Sequence, residues 1–153
     1  PWMAPNHDCT TKNVTVQKND PGSLLHHYRN LITLRRATPA LQHGEVVVLE
    51  TGHPAVYAIL RRTGSQTALV LVNLGPQAIS QYALSLHTGT LPNGRYTLRA
   101  VFGEGPAADL PVNDGGFNGY IPRPELEGYA TYVFLLRKSP ALPQEKAMIQ
   151  NDE

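Results

Sequence analysis

The side chains with chemical potential fall into a few groupings, and what each would need in order to react decides how it is read. His7, Asp8 and Cys9 are all metal-ligand types, but three consecutive side chains rarely converge on one ion without further ligands elsewhere, so a surface loop is expected. His26 and His27 are adjacent. Neighbours on a helix diverge by about 100°, and no His or Glu three or four residues away completes a chelating pair. No metal site and no cofactor is therefore expected. Gly103-Glu104-Gly105-Pro106-Ala107-Ala108 has glycines spaced as in a dinucleotide loop, yet a phosphate cradle must open a helix, and the following Asp109 to Gly116 cannot continue one. A plain turn is the reading. Asn13-Val14-Thr15 fits the N-glycosylation acceptor pattern, which matters only in a eukaryotic secretory pathway.

Carboxylates and aromatics remain. Acid–base cleavage between sugars needs two carboxyls on either side of one bond. Glu45, Glu50, Glu125 and Glu127 sit at strand ends or turns, and nothing in their spacing makes any two of them converge, so no catalytic residue is assigned. Trp2, Tyr120 and Tyr129 are the candidates for a sugar-stacking platform, with Tyr132 nearby. The competing reading is that tyrosines on strands serve the core or a sheet face.

The elements that would position these residues follow from composition and pattern. Over 153 residues, 41% are apolar, 16% are charged and the net charge is +1. Such a chain buries a core, and a polyanion has no electrostatic reason to prefer it, so nucleic acid is not expected as a partner. With 13 Gly and 13 Pro, a helical bundle is excluded and many turns are implied. The lone Cys9 excludes an intramolecular disulfide. Apolar runs such as Ala68 to Val72 fall far short of the ~20 residues of a membrane span, and no signal-peptide pattern opens the chain. No membrane partner is expected, and a soluble, marginally cytoplasmic location is favoured. The chain begins at Pro1 rather than Met and is read as a possible fragment.

Residues 1–19 carry neither a helical nor a strand period and read as loop. Asp20-Pro21 reads as an N-cap followed by proline at the first helical position, and Pro39 as a stop, which predicts a helix from about Pro21 to Ala37. Leu24, Leu25, Tyr28, Leu31 and Ile32 fall within an arc of about 120°, widened by Leu34. Such a helix packs against something large. Arg35 projects into that arc, where a carboxylate or a backbone carbonyl should meet it, a structural salt bridge being preferred.

After Gly44 the pattern becomes β-rich. Strands are expected at Glu45–Glu50, Ala55–Arg62, Thr67–Leu74, Ala78–Leu86, Arg95–Phe102, weakly around Leu110 and Tyr120, and at Ala130–Arg137. Turn signals separate them, and no second helical stretch supplies crossovers, so an antiparallel β-sandwich preceded by one amphipathic helix is expected. The tail from Lys138 is polar and is expected to fray.

The order of the pieces is distinctive. Pro1-Trp2-Met3 is followed by Asn13-Val14-Thr15-Val16-Gln17, then by Asp20-Pro21-Gly22-Ser23-Leu24-Leu25-His26-His27-Tyr28-Arg29-Asn30-Leu31-Ile32-Thr33-Leu34-Arg35-Arg36, then by Pro39-Ala40-Leu41-Gln42-His43-Gly44. This resembles the end of the catalytic barrel in the α-amylase superfamily, glycoside hydrolase family 13, and most of all its oligo-1,6-glucosidase and α-glucosidase branch. There the segment reads PW, NV-x-x-Q, DP-x-S-LL-x-x-YR-x-LI-x-LR and PAL-x-x-G. Ala4-Pro5-Asn6-His7-Asp8-Cys9 departs from the VNPNY usual after PW.

The resemblance implies that residues 1–43 are the loop and last helix of a truncated (β/α)8 barrel. Residues 44–138 are then the C-terminal β-sandwich, domain C, and 139–153 a polar tail. Asp20, Pro21, Leu24, Tyr28, Leu31, Ile32 and Arg35 would be structural, with the β-domain covering the helix. It implies also that the catalytic carboxylates lie upstream of Pro1, so that the chain alone is inactive while its parent is a retaining α-glucoside hydrolase. The partner would be the barrel of the same parent chain, with possible self-association of the fragment. Two other functions stay open: a binding module for α-glucans, and part of a non-catalytic interaction protein of the same fold.

Overall fold

The structure is a computed structural model that describes residues 2–87 and 89–140. Pro1 and the expected tail from 141 onwards lie outside the described residues. Three helices come first: α1 Val14–Lys18, α2 Leu24–Ala37 and α3 Pro39–His43. Eight strands follow: β1 Glu45–Val48, β2 Val56–Arg62, β3 Thr67–Asn73, β4 Leu84–Leu86, β5 Gly94–Phe102, β6 Leu110–Val112, β7 Phe117–Tyr120 and β8 Thr131–Lys138. Six form one antiparallel sheet in the order β1-β2-β3-β8-β5-β6, and β4 and β7 form a second.

The mainly β sandwich with a leading helical segment is the fold. Several details differ from the sequence expectation. Residues 14–18 are helical rather than loop, because the Asn13 side chain accepts from Val16 N at 2.9 Å and caps the turn. The long helix starts at Leu24 with Ser23 as its N-cap, not Asp20, whose carboxylate instead accepts from Gly22 N at 2.9 Å and closes the turn before it. Pro39 does end α2, and it then serves as the first residue of α3, where its missing N–H costs nothing. The strand expected over 78–86 shrinks to Leu84–Leu86, while Ile79 makes an isolated antiparallel bridge to Leu126.

Strand register explains where the core sits. Ala58 pairs with Leu71 and Leu71 with Tyr132, while Leu60, Leu69 and Phe134 form the next row. Period two then puts all six on one face, where they meet Leu84, Leu86 and Tyr120 of the small sheet. Phe134 lies at the centre and is fully buried. Two close approaches require glycine. A Cβ on Gly116 would lie 2.1 Å from Leu86 O, and Gly103, with φ 74°, leaves no room between its backbone and the Tyr132 ring.

Polar staples close the rim. Buried Asn73 donates toward the carbonyls of Gln77, Leu126 and Glu127 and accepts from Gly75 N, which ties the end of β3 to the segment before β8. Tyr82 donates to Arg123 O at 2.7 Å and accepts from Arg123 N at 3.2 Å. The Arg123 guanidinium lies 4.5 Å from the Tyr132 ring centroid and donates to Glu104 O at 2.6 Å.

Two predictions follow from this packing. Phe134→Ala should lower stability by about 3–5 kcal/mol in urea unfolding, whereas Tyr57→Ala, on the exposed side of β2, should cost about 1 kcal/mol or less. Equal losses would place the core elsewhere. Burial pushes the Tyr82 hydroxyl up to about 12, against a partial opposing effect of its contacts with Arg123, and burial also raises Tyr96. An unfolded chain releases these phenol protons near pH 10 while the folded chain keeps them. The stabilisation is therefore complete below pH 10 and is lost as pH rises through the folded value. Alkaline unfolding should thus steepen above pH 10, and Tyr82→Phe should flatten that slope while costing about 1 kcal/mol at neutral pH.

Candidate functional site

The helical segment carries the most unusual surface of the molecule. Gln17 links α1 to the start of α2 from both ends of its residue, its Oε1 accepting from Leu25 N at 3.0 Å and its carbonyl from Ser23 Oγ at 2.7 Å. His26 Nε2 adds a bond with Lys18 O at 3.1 Å. The two helices thereby enclose a shallow apolar hollow of about 310 Å³ lined by Val14, Gln17, Leu24, Leu25 and Tyr28. In the sequence Val14 stood out only as part of the Asn13-Val14-Thr15 segment and not as a surface residue. The signal for it was the capping Asn13 ahead of an apolar pair.

No residue of α2 is buried. Leu24 is 64% exposed, Tyr28 58% and Ile32 49%, and their spacing of four makes them one stripe. The β part does not cover this stripe, contrary to the expectation that it would. Leu31 and Leu34 are half-buried, and His27, on the same side of the helix as Leu31, meets the Phe102 ring edge-on at 5.8 Å. Arg35 is exposed and forms no ion pair among the described residues; its Nη2 donates to Gln42 O at 3.3 Å. The helices are anchored to the sheet through α3. Ala40 is fully buried, its N–H reaches Gln66 Oε1 at 3.1 Å, and Arg61 Nε donates to Ala40 O at 3.2 Å.

The other candidates are dispersed. Trp2 is 97% exposed, and Tyr129 is exposed with φ 56°. Tyr129 borders a hollow of about 390 Å³ with His27, Glu104 and Glu127. Tyr120 is only 7% exposed, packs edge-on against Phe117 and donates to Ala108 O at 2.5 Å. Burial raises its hydroxyl well above the usual tyrosine range. It lines the floor of a third hollow, of about 560 Å³, with Asn113, Phe117 and Asn118. Tyr120 and Tyr129 therefore do not share a platform.

The acidic candidates are exposed and stand on different elements: Glu45 opens β1, Glu50 pairs with His87 at 3.0 Å, and Glu125 and Glu127 lie before β8. Asp8 pairs with Lys12 at 2.9 Å. The glycine-rich turn after β5 wraps the Arg123 guanidinium, to which Glu104 and Pro106 offer carbonyls. Asn13 spends both ends of its amide locally, Oδ1 accepting from Val16 N of α1 and Nδ2 donating to Cys9 O and Thr10 O in the turn before it. Among the described residues no group of three His, Cys, Asp or Glu is placed to hold a metal ion, and no helix is long and apolar enough to cross a membrane.

No family model matches the chain. Curated relatives do. A probable α-glucosidase of Rhizobium meliloti (strain 1021) is 35% identical over 81 residues, which are 53% of this chain and 14% of that protein. Palatinase of Erwinia rhapontici is 39% identical over 67 residues, 44% of this chain and 12% of that protein. An oligo-1,6-glucosidase of Halalkalibacterium halodurans is 34% identical over 73 residues, 48% and 13%. Among solved structures, the trehalulose synthase MutB from Pseudomonas mesoacidophila MX-45 superposes with a TM-score of 0.61 at 28% identity, over 90% of this chain and 22% of that one. The chain thus spans a small part, 12–14%, of the length of these curated relatives. It is related to one region of the α-glucosidases and oligo-1,6-glucosidases of the α-amylase superfamily, glycoside hydrolase family 13.

Proposed function

We propose that this chain is the closing part of an α-glucosidase-type glycoside hydrolase. In this reading, residues 1–43 supply the last loop and helix of a (β/α)8 barrel, and residues 44–138 are the β-domain that holds that helix in place. The observation that carries it is the exposed Leu24–Tyr28–Ile32 stripe. A barrel helix turns its apolar side toward the strands it encloses, and this helix presents such a side with no strand against it.

The physical role is then stabilisation. Full burial of a Leu, Ile or aromatic side chain is worth ~1.5–3 kcal/mol, so seating the stripe on a barrel contributes several kcal/mol to the assembled enzyme. Asp20 and Pro21 shape the turn that aims α2, and Arg35 fastens its end to α3 through the Gln42 carbonyl. α3, through Ala40, Gln66 and Arg61, transmits the position of the β-domain to the helix. The parent enzyme would cleave or transfer α-glucosidic bonds with retention, through two closely spaced carboxyls. In this reading those carboxyls lie outside the chain, which has no turnover by itself. Carbohydrate metabolism is the setting, and the barrel is the partner.

A proton NMR time course of the purified chain with maltotetraose tests the catalytic half of this reading. Unchanged anomeric signals and unchanged amides are expected. New reducing-end signals would overturn it, and amide shifts around Trp2 or Tyr129 would establish a glucan-binding module instead. Sedimentation tests the structural half. The chain should self-associate at high concentration through its open helix face, and Leu24→Glu with Ile32→Glu should return it to monomer with the same urea midpoint. A wild-type chain that stays monomeric would count against a seat for the barrel on α2.

A further inference from the structure

The β-sheet brings together a cluster of cations that the sequence keeps far apart. Arg137 of β8 is paired with Thr97 of β5, and Arg99 with Leu135. Arg99 and Arg137 therefore lie on one face of the sheet as diagonal neighbours, within reach of each other's long side chains. Lys138, paired with Tyr96 at the end of β8, turns to the opposite face, where its stem lies on Gly94; a Cβ added to that glycine would sit 2.7 Å from Lys138 Cε. Beside the two arginines the β2–β3 turn contributes Ser65 and Gln66, and together these four residues border a hollow of about 510 Å³.

Two guanidiniums on one face repel each other unless something compensates them. Among the described residues the carboxylates in contact with a basic side chain are Asp8 with Lys12, Glu50 with His87 and Asp109 with Arg95, so neither Arg99 nor Arg137 has a carboxylate partner there. Nor do their side-chain nitrogens make a hydrogen bond to any described residue. The rest of the rim is fixed. Gln66 Oε1 accepts from Ala40 N at 3.1 Å, which leaves its amide nitrogen unused, and Thr97 Oγ1 donates to Arg137 O at 3.3 Å. Among the described residues the hollow is thus a surface with positive charge in excess and no carboxylate against it.

We propose that this hollow binds a phosphate-bearing small molecule, with the Arg99 and Arg137 guanidiniums engaging the phosphate oxygens. Phosphate is the favoured anion because it carries about −1.5 to −2 charge with three strong acceptor oxygens, and guanidinium forks match that geometry. A single carboxylate would neutralise only part of the cluster. The site lies on the sheet, away from the α2 stripe, and does not depend on the role assigned to the chain in an enzyme.

The test is an amide NMR titration of the full chain with inorganic phosphate, against sodium chloride at matched ionic strength. Saturable shifts are expected at Ser65, Gln66, Thr97, Arg99 and Arg137, with affinity reduced about tenfold or more in Arg99→Gln and Arg137→Gln. Arg99→Lys keeps the charge and the sheet position but loses the fork, and should weaken binding less than Arg99→Gln. Shifts that do not saturate, that chloride reproduces, or that the glutamine variants leave intact would overturn the proposal. Co-sedimentation with phosphatidylglycerol vesicles without a saturable response to inorganic phosphate would also overturn it, by assigning the surface to a lipid headgroup.

Discussion

The β part of the molecule depends on the insertion of β8 between β3 and β5. That strand satisfies its backbone groups on both edges at once, pairing Leu69 with Phe134 on one side and Ala100 with Phe134 on the other. This central strand, the last of the described strands, joins β3 and β5, between which twenty residues intervene, and its removal would leave two open edges. Phe134 is fully buried because it stands at the crossing of those two pairings, beneath the lid made by β4 and β7. The inward side of every neighbouring strand is set by its register to this one.

The loops that return from this sheet are held by polar groups rather than by further strands. Asn73 collects carbonyls from the segments before and after the Ile79–Leu126 bridge. Tyr82 and Arg123 do the same at the opposite rim, and the Arg123 guanidinium occupies the glycine-rich turn that superficially resembles an anion loop. Such buried polar atoms are costly when unpaired and specific when paired, so they select one arrangement of loops that apolar packing alone would leave degenerate.

The helical segment has the opposite character. It is fastened at points, by Ala40 in the sheet and by the ring of His27 on Phe102, while its apolar stripe remains open. The inner surface of the sheet is complete within this chain. The α2 surface is not, which fits a region that makes up only 14% of an α-glucosidase relative. The β part and the helices thus divide by burial: the strands bury their residues against partners within the chain, and the helix stripe stays exposed.

Much of the architecture was legible in the residues. Asp20-Pro21 and Pro39 bracketed the long helix, alternation after Gly44 marked the strands, and the ordered segments from Trp2 to Gly44 carried the resemblance to the α-amylase superfamily. Local chemistry suffices for these, because caps, proline and side-chain period act within a few residues. Other features needed the tertiary structure. The short helix after Asn13 offered only five residues of pattern, and residues 78–83 read as strand until their partners proved to be loops. The candidate sites were the least legible. Tyr120 and Tyr129 have the same side chain, yet one is buried and the other exposed, because exposure depends on what lies across the fold. The cations of Arg99 and Arg137 are thirty-eight positions apart and become neighbours only through the β5–β8 register. Residue type and short-range period determined which elements form; which faces they cover, and which charges they bring together, was decided by pairing between distant segments.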